Sequence, residues 1–210
     1  MNGRRHPVML TAKRTAPRFM LLSNLQSPIP PMNDWLLPYA DKLQARPIED
    51  IDLLVIHCTE LPDLSIAREY GERELYESGT GNSGHYYIDR DGAVHRFIPN
   101  ERIAHHVRGH NSRSIGIELV NTGRFPNWLD SRHQAMNEPY SDVQIQALIQ
   151  LLHQLIRELP NLAFIAGHED LDRDQVHATD DASRLVFRKR DPGEMFPWEK
   201  VLGEVALQRM

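Results

Sequence analysis

Two hydrophobic periods divide this chain. The run Ile51 to Ile56 is apolar apart from Asp52 and has the length of a strand buried on both faces. Beyond it, Ile66, Tyr70, Leu75 and Tyr76 recur at near-helical spacing behind Ser65, which can serve as N-cap, until Gly79, Gly81 and Gly84 end the pattern. His85 to Asp89 and Ala93 to Phe97 flank Asp91-Gly92, a strong hairpin signal, so these two segments are expected to pair antiparallel. Ser114 to Val120 alternates around Glu118 as a further strand, and Arg124 to Tyr140, with Pro126 and Pro139, is expected as a long surface excursion. Ser141 followed by Gln144 forms a capping-box pattern ahead of the helical face Ile145, Leu148, Leu152 and Leu155. Leu162 to Ala166 predicts a strand that ends at Gly167 and His168, and Trp198 to Leu207 predicts a C-terminal helix. Strands interleaved with helices, together with one hairpin, predict a mixed α/β fold: a central mixed β-sheet flanked by helices.

Composition adds bounds to this outline. With 210 residues, 40% hydrophobic and 25% charged, the chain suits one folded domain with an appendage. The expected division is a basic, proline-containing arm over 1–47 and a domain over 48–210. Arg4, Arg5, Lys13, Arg14 and Arg18 have no acidic counterpart before Asp34, and Pro28, Pro30 and Pro31 follow them. A net charge of −5 gives no global basic field, which argues against nucleic acid as a partner. The single Cys58 excludes an intrachain disulfide. The longest apolar run of the arm, Phe19 to Leu22, is too short for a membrane span or a signal-peptide core, so a cytoplasmic location is the expectation.

Three scattered side chains carry the chemistry. His57 ends the first apolar run, His168 follows a second run and a turn-prone glycine, and Asp191 precedes Pro192-Gly193, a turn that would fix the backbone beyond its carboxylate. Two neutral imidazoles and one carboxylate suit Zn²⁺, one per chain. A catalytic zinc keeps three protein ligands and an open fourth position. These residues alone point to metal-assisted hydrolysis of a polar substrate. Cys58, next to His57, is expected on the opposite face of its strand and so outside the ligand set.

The stretches LLVIHCTELPD (53–63), GHYYIDRDGAVHRFIP (84–99), IAHHVRGHNSRSIGIEL (103–119), GHEDL (167–171) and RKRDPGEMFPW (188–198) occur in one order. Together they resemble the zinc-dependent N-acetylmuramoyl-L-alanine amidases of the type 2 amidase family, which share their fold with peptidoglycan recognition proteins. The resemblance implies peptidoglycan or muropeptide as substrate and His57, His168 and Asp191 as metal ligands. It also implies Glu118 as general base, placed among apolar neighbours in its strand, and Lys189 as the stabiliser of the oxyanion. His106, Asn111, Arg113 and His85 are expected to bind substrate. His105 stands where the family carries tryptophan before its histidine. His168 and Asp191 are also separated by 22 residues, more than is usual in the family, by an acidic insertion over 170–186. Asp170, Asp172 and Asp174 there have a calcium-loop spacing, but Gln175 stands where such a loop needs glycine. A non-catalytic peptidoglycan-binding module and a phage-type lytic amidase are the alternatives within this fold.

Overall fold

A computed structural model describes residues 32–210; the basic residues and prolines of the arm up to Pro31 lie outside the described part. The sheet has seven strands: β1 Met32–Asp34, β2 Leu53–Cys58, β3 Tyr86–Ile88, β4 Val94–Arg96, β5 Ser114–Leu119, β6 Phe164–Gly167 and, past a separate β7 Gln175–His177 and β8 Leu185–Phe187 hairpin, β9 Gln208–Arg209. Their spatial order is β1-β4-β3-β5-β2-β6-β9. β3, β5, β2, β6 and β9 run parallel, and β3–β4 is the antiparallel pair around Asp91-Gly92, as the hairpin signal requires. Gly92 has φ +85, a left-handed turn conformation that glycine adopts without a Cβ penalty. The sheet is therefore mixed, and helices flank it.

β2 and β5 lie at the centre, and every residue of β2 is buried. Strand alternation divides their side chains between two faces. Leu54, Ile56, Ile115, Ile117 and Leu119 pack against α2, Asp142–Glu158, through Ile145, Leu148, Leu152 and Leu155. Fully burying each of these aliphatic side chains contributes about 1.5–3 kcal/mol, so this face is where most of the fold's apolar stabilisation resides. The other face carries Leu53, Val55 and His57 from β2, and Ser114, Gly116 and Glu118 from β5. Its polar members are the ones that build the site.

Several expected boundaries move. Asp63, rather than Ser65, caps α1, Leu64–Gly71, by accepting from the Ile66 amide at 2.8 Å; the helix ends before Leu75 and Tyr76, both exposed. Ser141 caps α2 through the Gln144 amide, but the Gln144 side chain does not close a capping box. It donates instead to the carbonyls of Ile88 and Val120 at 3.0 Å, tying the helix to the sheet. The C-terminal helix α4 is only Trp198–Leu202, and the chain then joins the sheet as β9. The described end of the expected arm packs with the domain: β1 pairs with β4, and Leu37, Tyr39, Leu43 and Arg46 are buried. The packed unit thus includes at least Met32 to Pro47, and the expected boundary at residue 48 falls inside it. The excursion over 124–140 is irregular yet anchored, with Arg124 and Met136 buried. Among the described residues no helix is long and apolar enough to cross a membrane.

Candidate active site

Parallel pairing of β2 with β6 delivers two histidines to one place. Ile56 is in register with Gly167, so His57 near the end of β2 and His168, the first residue of α3 (His168–Leu171), stand side by side with ring centroids 4.6 Å apart. Asp191 reaches them from a turn in which Gly193 has φ +83, and its carbonyl accepts from the Glu169 amide at 2.9 Å, fastening the turn to α3. Nδ1 of His57 lies 3.0 Å and Nδ1 of His168 3.1 Å from the same oxygen, Oδ2 of Asp191. All three residues are buried, and one ligand atom from each lies within 4.8 Å of the others. His168 Nε2 and Asp191 Oδ1 have no hydrogen-bond partner in their buried setting, so donor and acceptor capacity is left over. Two imidazoles and a carboxylate with unspent capacity fit a divalent cation such as zinc.

Glu118 sits directly beside this group. It is in register with His57 across β2 and β5, with Oε1 3.9 Å from His57 Nδ1. Burial, reinforced by the Asp191 charge and opposed by Lys189, raises its pKa from 4.5 to about 8. A dication at the three ligands would draw that value down again. Burial lowers His57 to about 4, against the hydrogen bond that Asp191 accepts, so its imidazole is neutral as a ligand must be. Asp191 behaves oppositely: burial alone would raise its carboxyl, but the nearby His168, the hydrogen bonds to both histidines and Lys189 hold it well below the usual range. Gly84 makes room for Glu118, since a Cβ there would stand 2.7 Å from Glu118 Cγ. Glu118, Lys189, His168 and His106 all line a cleft of about 810 Å³, with His57 and Asp191 packed against Glu118 and His168.

The four expected substrate contacts divide. His106 and Asn111 line the cleft. Asn111 also shapes the loop, because its Oδ1 accepts from the His106 and Val107 amides at 3.0 and 2.8 Å. His85 and Arg113 do not reach the cleft. His85 is fully buried, with Nδ1 accepting from the Gly116 amide at 3.0 Å and Nε2 3.0 Å from the Arg102 carbonyl; it braces the sheet. Arg113 is turned away in a bidentate pair with Asp52, at 2.6 and 2.5 Å. Proximity in sequence to the motifs says nothing about the face on which a side chain emerges. Cys58, as alternation predicts, lies off the ligand set, its buried thiol 3.4 Å from the Asn121 carbonyl.

The acidic insertion is not a calcium loop. Asp170 pairs with Arg209, Asp172 with Arg188 and Asp174 with Arg108, while the segment folds as the β7–β8 hairpin. Arg108 and Arg188 both line the cleft, so the insertion shapes its rim. Sequence reasoning also missed Arg124. Its guanidinium makes a buried bidentate pair with Glu60, at 2.6 and 2.9 Å, and donates to the carbonyls of Phe187 and Arg188 at 3.0 and 3.3 Å. It thereby anchors the backbone just ahead of Lys189, but a lone arginine in an irregular segment gives no sequence signal for this.

The model of the N-acetylmuramoyl-L-alanine amidase family matches residues 47–194, from just before β2 to just past Asp191. The chain belongs to this amidase family. It is thus a hydrolase of the amidase class. Among its relatives, the 1,6-anhydro-N-acetylmuramyl-L-alanine amidase AmpD of Haemophilus influenzae is 26% identical over 193 residues, covering 80% of this chain and 89% of the relative. The amidase AmiD from Escherichia coli, solved in complex with the substrate anhydro-N-acetylmuramic acid-L-Ala-D-γ-Glu-L-Lys, is 25% identical with a TM-score of 0.54 over 74% of this chain and 57% of that one. The Drosophila peptidoglycan recognition protein SA shares the fold, with a TM-score of 0.55 at 16% identity over 85% of this chain and 94% of that one.

Proposed function

We propose that the chain is a zinc-dependent amidase that cleaves the bond between the lactyl group of N-acetylmuramic acid and L-alanine, acting on soluble anhydro-muropeptides in cell-wall recycling. The observation that carries this reading is the convergence of both histidine Nδ1 atoms on Asp191 Oδ2, beside the largely buried Glu118 side chain. The substrate class is supported by the relative from Haemophilus influenzae, whose name specifies a 1,6-anhydro substrate and whose length this chain nearly spans.

His57, His168 and Asp191 would hold the ion, which supplies Lewis acidity toward the amide carbonyl and lowers the pKa of water. Glu118 accepts the proton of the attacking water and returns it to the departing L-alanine amine. Burial raises its pKa and a bound cation would lower it again, and between these opposed effects the group can both take a proton and give it back. Lys189, on the cleft wall, places its ammonium toward the negative charge that grows on the carbonyl oxygen, a contribution of about 3–4 kcal/mol when such a donor is well placed. Product analysis by mass spectrometry, on anhydro-muropeptide and on polymeric peptidoglycan in parallel, tests the proposal. Free stem peptide from the soluble substrate, in excess over release from the polymer, is expected. Faster release from the polymer would indicate a lytic enzyme, and binding without release a recognition module.

A further inference from the structure

On the inner face of β5, Ser114, Gly116 and Glu118 succeed one another at strand spacing, and only Glu118 has a role so far. The His106 ring lies over Gly116: a Cβ at that position would stand 2.6 Å from His106 Cγ and Nδ1, so only glycine admits the imidazole. His106 Nδ1 is 3.0 Å from His57 Nε2, and His106 Nε2 is 3.1 Å from Ser114 Oγ, which lies 2.8 Å from the His110 carbonyl. These contacts form one chain from a backbone oxygen to a metal ligand.

The direction of the protons in that chain follows from its end. A carbonyl only accepts, so Ser114 donates its hydroxyl proton to His110 and accepts from His106 Nε2–H. A neutral imidazole carries one proton, which leaves His106 Nδ1 as an acceptor and makes His57 Nε2–H its donor. His57 Nδ1 is then the bare nitrogen once a cation replaces the proton it shares with Asp191 Oδ2 at 3.0 Å, where the ligand set converges. The reverse direction would set the lone pairs of Ser114 Oγ and the His110 oxygen against each other at 2.8 Å.

We infer that His106 and Ser114 are positioning residues that lock His57 in the Nε2–H tautomer with its Nδ1 lone pair presented to the metal. This replaces the expectation that His106 binds substrate, and it rests on the zinc reading above. Ser114 is fully buried and does not line the cleft, so a substrate contact cannot account for its effect.

Outer partners of this kind typically change metal affinity about 10–100-fold. Competition with a chromophoric chelator should therefore show zinc bound at least about 10-fold more weakly by Ser114→Ala and His106→Ala. His106→Asn, whose amide oxygen can take the place of Nδ1, should recover part of the loss. Zinc affinities unchanged in both alanine variants, or a raised KM for His106→Ala with zinc affinity intact, would overturn the inference. Long-range ¹H–¹⁵N NMR of the metal-stripped wild type needs no variant: His106 should carry its proton on Nε2, facing Ser114, and a neutral His106 with its proton on Nδ1 would overturn the relay. Wild-type protein that takes up no zinc would sink the zinc reading itself, and the metal-free tautomer measurement separates that failure from failure of the relay.

Discussion

The floor and the rim of the cleft are built on different principles. On the floor, His57, Glu118 and His168 stand on or directly after the central strands β2, β5 and β6, and Asp191 is fastened to α3 by a backbone hydrogen bond; both histidines and Asp191 are almost fully buried. On the rim, Tyr76, His105, Arg108 and Arg188 come from irregular segments, and the two arginines pair with Asp174 and Asp172 of the insertion. Rigid strands hold proton-transfer geometry within tight limits, whereas loops vary what is bound without disturbing it. The difference predicts that floor substitutions act on turnover and metal, and rim substitutions on substrate affinity.

The largest effect should come from Glu118→Ala, which is expected to lower kcat by about 10²–10⁴-fold while zinc content, read by elemental analysis, stays at the wild-type level. Lys189→Met should follow at about 10²–10³-fold in kcat with little change in KM. On the rim, Arg188→Ala and Arg108→Ala should raise KM with kcat held within about twofold, a loss of roughly 1–2 kcal/mol in substrate binding. A fall in kcat as large as that for Lys189→Met would break the division between floor and rim. Arg113→Ala should change neither parameter. It removes a half-exposed pair with Asp52 that contributes about 0.2–1 kcal/mol to stability, readable as a small drop in Tm.

Glu118 also leaves a signature in the metal-stripped protein. Its folded pKa is raised, so its stabilising contribution is whole below about 4.5 and is lost as pH rises through about 8. Glu118→Gln should therefore unfold at a higher temperature than wild type at pH 9, by about 2–4 °C for each kcal/mol recovered, and the advantage should vanish near pH 5. An advantage of equal size at both pH values would show that the gain is not protonation.

The floor was legible in the sequence because its residues sit at fixed places relative to strong patterns. His57 ends an apolar run, Glu118 interrupts an alternating strand, and Asp191 precedes a Pro-Gly turn. The mixed sheet followed from the same runs and from the Asp91-Gly92 hairpin. What the sequence concealed depends on contacts between distant segments. Nothing near Arg124 signals that it closes on Glu60 and the Arg188 carbonyl. Nothing near Arg113 signals that Asp52 holds it away from the cleft. The parts of α1 and α4 that were overextended, through Tyr76 and Leu207, fail as helices because their apolar residues have other places to pack: Leu207 is buried beside the sheet, and Tyr76 stands at the rim against His105.

The most direct test of the account is a zinc titration of the metal-stripped protein with anhydro-muropeptide present, following release of the stem peptide by mass spectrometry. Turnover should rise from zero and saturate at one zinc per chain, with no rise for Asp191→Ala over the same range. Release of stem peptide at full rate without metal, or saturation at one zinc with no release at all, would contradict it.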